Sequence, residues 1–204
     1  MDVDGTITDE LGEICEKAAE TIRFLKDKLR IYLATSLPLH IAMKKCNPVK
    51  KYISGGVFAN GGQIVDFGLN YKEAVAIKKE ALEVLSDIPK IGVYKEKDSV
   101  YKVISFKKYI TLAIQSNSML KVTIERDIAN ITSNEASKLK GILKLSQLNN
   151  FDEDKIFVMG NSITDLEMIN YFKYSAATLD SKSELLKKQA RFILNIEHLP
   201  IFIK

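Results

Sequence analysis

Apolar side chains recur with helical spacing between residues 13 and 29, where Ile14, Ala18, Ile22, Leu25 and Leu29 share one face. The run at 30–34 is short, apolar and rich in β-formers; Thr35, Ser36 and Pro38 break it, and a helix is expected over 39–46. Near the other end, residues 156–159 form a continuous apolar run of the kind found in buried parallel strands. That run stops at Gly160-Asn161-Ser162 and is followed by an amphipathic stretch at 163–172. A strand at 175–178, a helix at 183–190 and a strand at 192–195 complete the alternation. Strands alternating with helices predict an α/β fold built on a doubly wound parallel sheet, whose ligands gather at the carboxyl ends of the strands.

The middle of the chain breaks this rhythm. Two strand pieces flank an Asn60-Gly61-Gly62 turn within 57–66. After them the pattern predicts a helix near 73–86, a strand near 100–106, a helix near 108–116 and paired strands near 120–125 and 128–132. This is an α+β insertion that starts and ends inside the alternating pattern. We expect a core of residues 1–66 and 134–204 carrying an inserted cap of residues 67–133.

Composition narrows the class. With 46% hydrophobic and 27% charged residues the 204-residue chain is neither a disordered tail nor a fibre. The net charge of +4 is too mild for a dedicated nucleic-acid binder and suits a small anionic ligand. Cys15 and Cys46 make no C-x-x-C pair, so a reducing cytoplasm is expected. No apolar run approaches the ~20 residues of a membrane span. We therefore expect a monomer or homodimer that meets neither membrane nor nucleic acid. His40 and His198 are the only histidines and have no evident partner in sequence, whereas carboxylates are plentiful.

Four segments carry candidate chemistry. In Asp2-Val3-Asp4-Gly5-Thr6, two carboxylates one residue apart can face one ligand, one attacking an electrophile while the other exchanges a proton with the leaving group. A polar Asp-Gly turn is the bland alternative. A calcium loop begun at Asp2 fails because its glycine stands fourth rather than sixth. Thr35 and Ser36, at a strand end before Pro38, can bind a phosphate oxygen or simply cap a helix. Lys138 opens a helix and can neutralise a phosphoryl group, although solvated surface is the default for a lysine. Phe157–Asp165 is an apolar strand, a glycine turn and an acid at the next helix start. There Asp165 can hold Mg²⁺ directly or through water, or only complement the helix dipole.

In this order the four segments resemble the haloacid dehalogenase-like phosphatase superfamily, whose motifs run DxDGT, Ser/Thr, Lys and GDxxxD. The resemblance covers the core. An insertion between the second and third motifs, preceded by Asn60-Gly61, is similar to the large α/β cap of the Cof-like branch, and the compact size and Gly160-Asn161-Ser162 look most like archaeal phosphoglycolate phosphatases. The resemblance implies a Mg²⁺-dependent phosphomonoesterase acting on a small phosphorylated metabolite, 2-phosphoglycolate first. Asp2 would be the nucleophile that forms an aspartyl-phosphate and Asp4 the acid and base. Thr35, Ser36 and Lys138 would bind the phosphoryl group, with Lys140 as the competing register. Asp2, the Asp4 carbonyl, Asn161 and Asp165 would hold the metal. Sugar-phosphate phosphatases of the Cof or sucrose-phosphatase kind, and a protein of this fold that binds without turnover, are the alternatives. Basic residues of the insertion, Lys97, Lys102 and Arg126, are expected on solvated surface unless one meets a substrate carboxylate.

The sequence departs from that pattern twice. Asn161 stands where the family usually has Asp, so weaker Mg²⁺ binding is expected. Only Met1 precedes Asp2, where the family has a buried central strand of about five residues. We expect a misassigned start codon, a trimmed chain, or a degenerate protein with little activity.

Overall fold

The computed structural model describes residues 1–202, so the last two residues of the expected core lie outside it. In chain order the elements are α1 (Glu16–Leu25), β1 (Ile31–Ala34), α2 (Leu39–Lys45), β2 (Ile53–Phe58), β3 (Gln63–Asp66) and β4 (Tyr71–Ala74). They continue with α3 (Lys79–Val84), β5 (Gly92–Glu96), β6 (Ser99–Phe106), α4 (Leu112–Gln115), β7 (Leu120–Glu125) and β8 (Ile128–Ser133). The chain closes with α5 (Lys138–Asn149), β9 (Phe157–Gly160), α6 (Leu166–Tyr171), β10 (Tyr174–Ala177), α7 (Glu184–Gln189), β11 (Phe192–Ile193) and α8 (Leu199–Phe202).

The core is an α/β fold with a largely parallel sheet in two parts. One part runs β1-β2-β3-β4 and the other β9-β10-β11. β1 and β2 are parallel, as are the strands of the second part, while β3 and β4 return antiparallel at one edge. Met1 and Asp2 join the two parts. The Met1 amino group donates to the Tyr32 carbonyl at 2.7 Å and the Ala34 N–H donates to the Met1 carbonyl at 2.8 Å, as in a parallel ladder. On the other side the Asp2 N–H donates to the Met159 carbonyl at 2.9 Å. Below these two residues β1 and β9 flank a cavity of about 560 Å³ lined by Leu25, Leu33, Ile142, Leu145 and Met159 among others.

Both faces of this sheet are covered by helices. Val3, Ile7, Ile22, Leu25, Leu33, Phe58 and Met159 pack on one side with Leu199 of α8. On the other side Ala34, Val158, Met168, Ile169, Ala177 and Leu186 pack with residues of α5. Lys138, Gly141 and Leu145 lie at i, i+3 and i+7 on the buried face of α5. Gly141 lets that face approach β2, since a Cβ there would come within 2.4 Å of a Val57 methyl.

A second sheet, β5-β6-β8-β7, is antiparallel throughout. Its own apolar cluster includes Ile77, Ala81, Leu85, Val103, Ile114, Ala129 and Ile131. Among the described residues no helix is long and apolar enough to cross a membrane.

The expected helix at 73–86 is overturned in its first part. Residues Tyr71–Ala74 are β4, and only Lys79–Val84 is helical. The cause is turn chemistry: Asp66 Oδ1 accepts the Leu69 N–H at 2.9 Å and Asn70 takes φ 50°, which folds β4 back onto β3. The expected helix at 108–116 is split into a 3₁₀ turn at Lys107–Tyr109 and the short α4, and strand β5 lies where none was expected.

Candidate active site

The first motif starts at the junction of the two half-sheets, where Met1 and Asp2 bridge the carboxyl ends of β1 and β9. Gly5 then turns the chain with φ +72°, and a Cβ there would come within 2.0 Å of the Asn161 carboxamide. The first and fourth motifs therefore touch, and only a glycine permits it. Gly160 serves the fourth motif in the same way. A Cβ there would lie 2.4–2.6 Å from the Asp165 side chain, so its absence lets that acid fold under the turn.

The carboxylates of Asp2 and Asp165 meet on one ammonium. Lys138 Nζ donates to Asp2 Oδ1 at 2.8 Å and to Asp165 Oδ1 at 2.6 Å. All three side chains are buried, with relative exposures of 3%, 7% and 0% for Lys138, Asp2 and Asp165. Asp165 Oδ2 also accepts the N–H groups of Asn161 and Ser162, at 3.0 and 3.1 Å, which fixes the carboxylate and the turn together. Asp2 Oδ2 accepts the Thr6 hydroxyl at 3.2 Å. Lys140 points elsewhere and pairs with Glu135 at the surface.

Electrostatics follow from this burial. Burial pushes the Asp2 carboxyl up to about 6; Lys138 opposes the shift and the Asp165 charge reinforces it. For Lys138, burial works to lower the ammonium, but the charges of Asp165 and Asp2 outweigh it and hold the group above the ordinary lysine range. Two buried carboxylates on one cation leave one negative charge in excess.

The other expected residues lie around this triad in different states. Thr35 is fully buried just past β1, and its Oγ1 accepts the Leu37 N–H at 3.1 Å, leaving the hydroxyl proton for another acceptor. It does not cap α2, whose N-cap position is Pro38. Ser36 is half-buried and its carbonyl accepts from Lys102. Asp4 is partly exposed and forms an ion pair with Lys45 at 2.5 Å. None of the four motifs points to Lys45, on α2; a basic residue in the last turn of a helix is its only sequence signal. Lys97 and Arg126 are exposed at positive φ in the tips of the second sheet, whereas Lys102 is buried, contrary to the solvated surface expected of it.

The residues 66–198 match the family model described as haloacid dehalogenase-like hydrolase, well over half of the chain. The chain belongs to the haloacid dehalogenase-like hydrolase family. Among curated proteins it is similar to a phosphoglycolate phosphatase of Methanococcoides burtonii, 26% identical over 199 residues, spanning 92% of this chain and 85% of that one. The Methanosarcina acetivorans phosphoglycolate phosphatase is 25% identical over 202 residues, spanning 95% and 87%. The fold is shared with solved structures at lower identity. A Geobacillus kaustophilus protein superposes with a TM-score of 0.82 at 17% identity, covering 100% of this chain and 97% of the other. A sugar phosphatase of subclass IIB in the same superfamily superposes with a TM-score of 0.80 at 16% identity, covering 98% and 94%.

The donor set can be tested against the hard divalent cation that such hydrolases employ. Carboxylate, amide and main-chain oxygens of Asp2, Asn161 and Asp4 are the ligand type Mg²⁺ prefers. The excess negative charge of the buried triad is what a cation would relieve. The residues fit, with Asp165 Oδ2 already engaged by two N–H groups and so contributing mainly its charge.

Proposed function

We propose that this chain is a Mg²⁺-dependent phosphomonoester hydrolase that works through an aspartyl-phosphate and acts on 2-phosphoglycolate. One observation carries the reading: acids from opposite ends of the sequence, Asp2 and Asp165, meet on the single buried ammonium of Lys138. Phosphoryl transfer needs positioning and charge neutralisation more than covalent assistance, and this cluster supplies both.

In the proposed mechanism an Asp2 carboxylate oxygen attacks phosphorus while Lys138 keeps Asp2 oriented and offsets charge on the phosphoryl oxygens. The Thr35 hydroxyl, with the main chain that follows it, donates to a phosphoryl oxygen. Asp4 gives a proton to the departing alcohol oxygen and later takes one from the water that hydrolyses the acyl phosphate. A bound Mg²⁺ would be held by Asp2, the Asp4 carbonyl and Asn161, with Asp165 behind them, and would supply charge neutralisation at the phosphoryl oxygens. The sheet β5-β6-β8-β7 serves as the cap, beginning after β4 because β4 pairs with the core. A cytoplasmic setting suits two unpaired thiols.

Names of relatives at 25–26% identity favour phosphoglycolate, while the structural likeness to a subclass IIB sugar phosphatase supports a sugar phosphate as the second reading. Release of phosphate from p-nitrophenyl phosphate with Mg²⁺, lost in Asp2→Asn, tests the hydrolase. A panel of 2-phosphoglycolate and hexose phosphates then ranks the two substrates. A protein that binds these esters without releasing phosphate overturns the reading.

A further inference from the structure

The second sheet has two chemically different faces. Val122, Ala129, Ile131 and Val103 lie on the face packed against Ala81 of α3, Leu85 just after it and Ile114 of α4. Strand alternation places the polar residues on the other face, where Tyr94 opposes Lys102 and Lys121 opposes Thr132. Asn130 and Glu125 share that side. This polar face is turned to the core. Lys121 pairs with Glu167 of α6 at 2.6 Å, and Lys102 Nζ donates to the Ser36 carbonyl at 2.6 Å, one residue beyond Thr35.

Lys102 is only 2% exposed, yet among the described residues no carboxylate lies within 4.0 Å of its ammonium. The other buried ammonium, Lys138, has two such partners. An ammonium has three donors, and Ser36 takes one. Burying a cation without a counter-ion is costly unless something else is bound there. Burial accordingly lowers Lys102 to about 8, with Glu125 opposing the shift and Lys138 adding to it. The Lys102 ammonium is held one residue beyond Thr35, on the same strand-end segment that follows β1.

We propose that Lys102 is the subsite for a carboxylate on the leaving group, so that the polar face of the second sheet selects phosphate esters of short hydroxy acids. This deepens the phosphatase reading and rests on it. The placement favours a short acid: Lys102 Nζ is anchored on the Ser36 carbonyl, one residue beyond Thr35, so a carboxylate held there stands next to the segment that binds the phosphoryl group. A two- or three-carbon hydroxy acid carries its carboxylate close to its phosphate, and a hexose brings no anion to Lys102.

The test compares 2-phosphoglycolate with ethyl phosphate, its uncharged two-carbon counterpart, by steady-state kinetics with Mg²⁺. The wild type is expected to favour the carboxylated ester in kcat/KM by roughly tenfold to a hundredfold. Lys102→Met is expected to collapse that ratio, chiefly through KM for 2-phosphoglycolate, and Lys102→Arg to restore part of it. A wild type without preference, or an unchanged ratio in Lys102→Met, overturns the proposal and leaves the phosphatase reading standing. If Lys102→Met does not fold, inhibition of p-nitrophenyl phosphate hydrolysis by glycolate against glycolamide in the wild type decides instead: equal inhibition overturns the subsite. Absence of phosphate release from every ester overturns the phosphatase reading. Calorimetry of 2-phosphoglycolate against ethyl phosphate then decides Lys102 separately, tighter binding of the first supporting the subsite and equal binding ending it.

Discussion

Replacing Lys138 with Met removes the one cation between two buried carboxylates, and the size of the effect follows from the geometry. Nζ lies 2.8 Å from Asp2 and 2.6 Å from Asp165, and all three groups are buried. Breaking a buried ion pair by deleting one partner costs about 3–5 kcal/mol, because the survivor is left uncompensated. For a chain of 204 residues, where 1 kcal/mol moves Tm by about 2–4 °C, a fall of roughly 6–20 °C at pH 7 is expected. The pH dependence gives the sharper test. Asp2 sits at about 6 in the folded protein against an ordinary 3.8, so the native state holds its proton more tightly than the unfolded chain. Stability from this group is fully present below about pH 4 and is lost as the pH rises through 6. Without Lys138 the Asp2 carboxyl moves higher still, so the variant should lose stability over a window that extends above pH 6. Urea unfolding at pH 5 and pH 7.5 measures this, and the deficit against wild type should be larger at pH 7.5. Adding Asp165→Asn to Lys138→Met should restore part of the loss, since only one carboxylate then remains. A deficit that is equal at both pH values, together with strictly additive effects in the double variant, would refute the charge argument.

Three further outcomes are expected. Asp2→Asn should abolish phosphate release, by roughly 10³-fold or more, while Tm at pH 7 stays level or rises, because Lys138 and Asp165 then form a balanced pair; a strong loss of Tm would contradict the surplus negative charge. Gly61→Ala should cost at least about 2 kcal/mol, read by urea unfolding, since Gly61 holds φ +96° and a Cβ would meet the Ser137 backbone at 2.4–2.6 Å; wild-type stability would refute it. Asn161→Asp should lower the Mg²⁺ concentration for half-maximal activity, because it adds an anionic oxygen beside the Gly5 turn of the first motif; a higher requirement in a Mg²⁺ titration would remove Asn161 from the ligand set.

Part of the fold and the site is legible in the sequence because the signals are local. A continuous apolar run ending in Gly160-Asn161-Ser162 specifies both a buried strand and the turn at its carboxyl end, and the structure has β9 and that turn. The period of α5 puts Lys138 in phase with Gly141 and Leu145, although periodicity alone does not separate it from Lys140. What decides the matter is the contact of α5 with β2 through Gly141, which is a tertiary fact. β4 escapes the pattern for a related reason: Tyr71–Ala74 becomes a strand only because the turn at Asp66–Asn70 delivers it to β3. Lys102 reads as surface because alternation along β6 tells which residues share a face, but not whether that face meets solvent or another layer. The Asp4–Lys45 pair joins positions 41 residues apart with no periodic signature at all.

The distribution of charge across the cleft adds a constraint that the individual contacts do not. At the core, Asp2 and Asp165 outnumber Lys138 by one negative charge, and Asp4 is balanced by Lys45. Above the strand ends, Lys102 brings a positive charge from the second sheet that, among the described residues, has no carboxylate within 4.0 Å. Among the described residues no ion pair joins these opposite excesses. A divalent cation alone would overcompensate the core, and an anion alone would satisfy the second sheet and burden the core. A cation together with a phosphate ester that carries a second anionic end would relieve both, with the phosphoryl end on the Lys138 side and the far end at Lys102. In a buried site, where charge interactions are stronger than in water, such paired relief discriminates between ligands more steeply than shape does. On this argument metal and substrate bind with positive coupling, and each should tighten the apparent affinity of the other in titrations of the wild type with a non-hydrolysable phosphonate analogue of the ester. Independent binding of the two would place the excess charges in separate, unconnected sites.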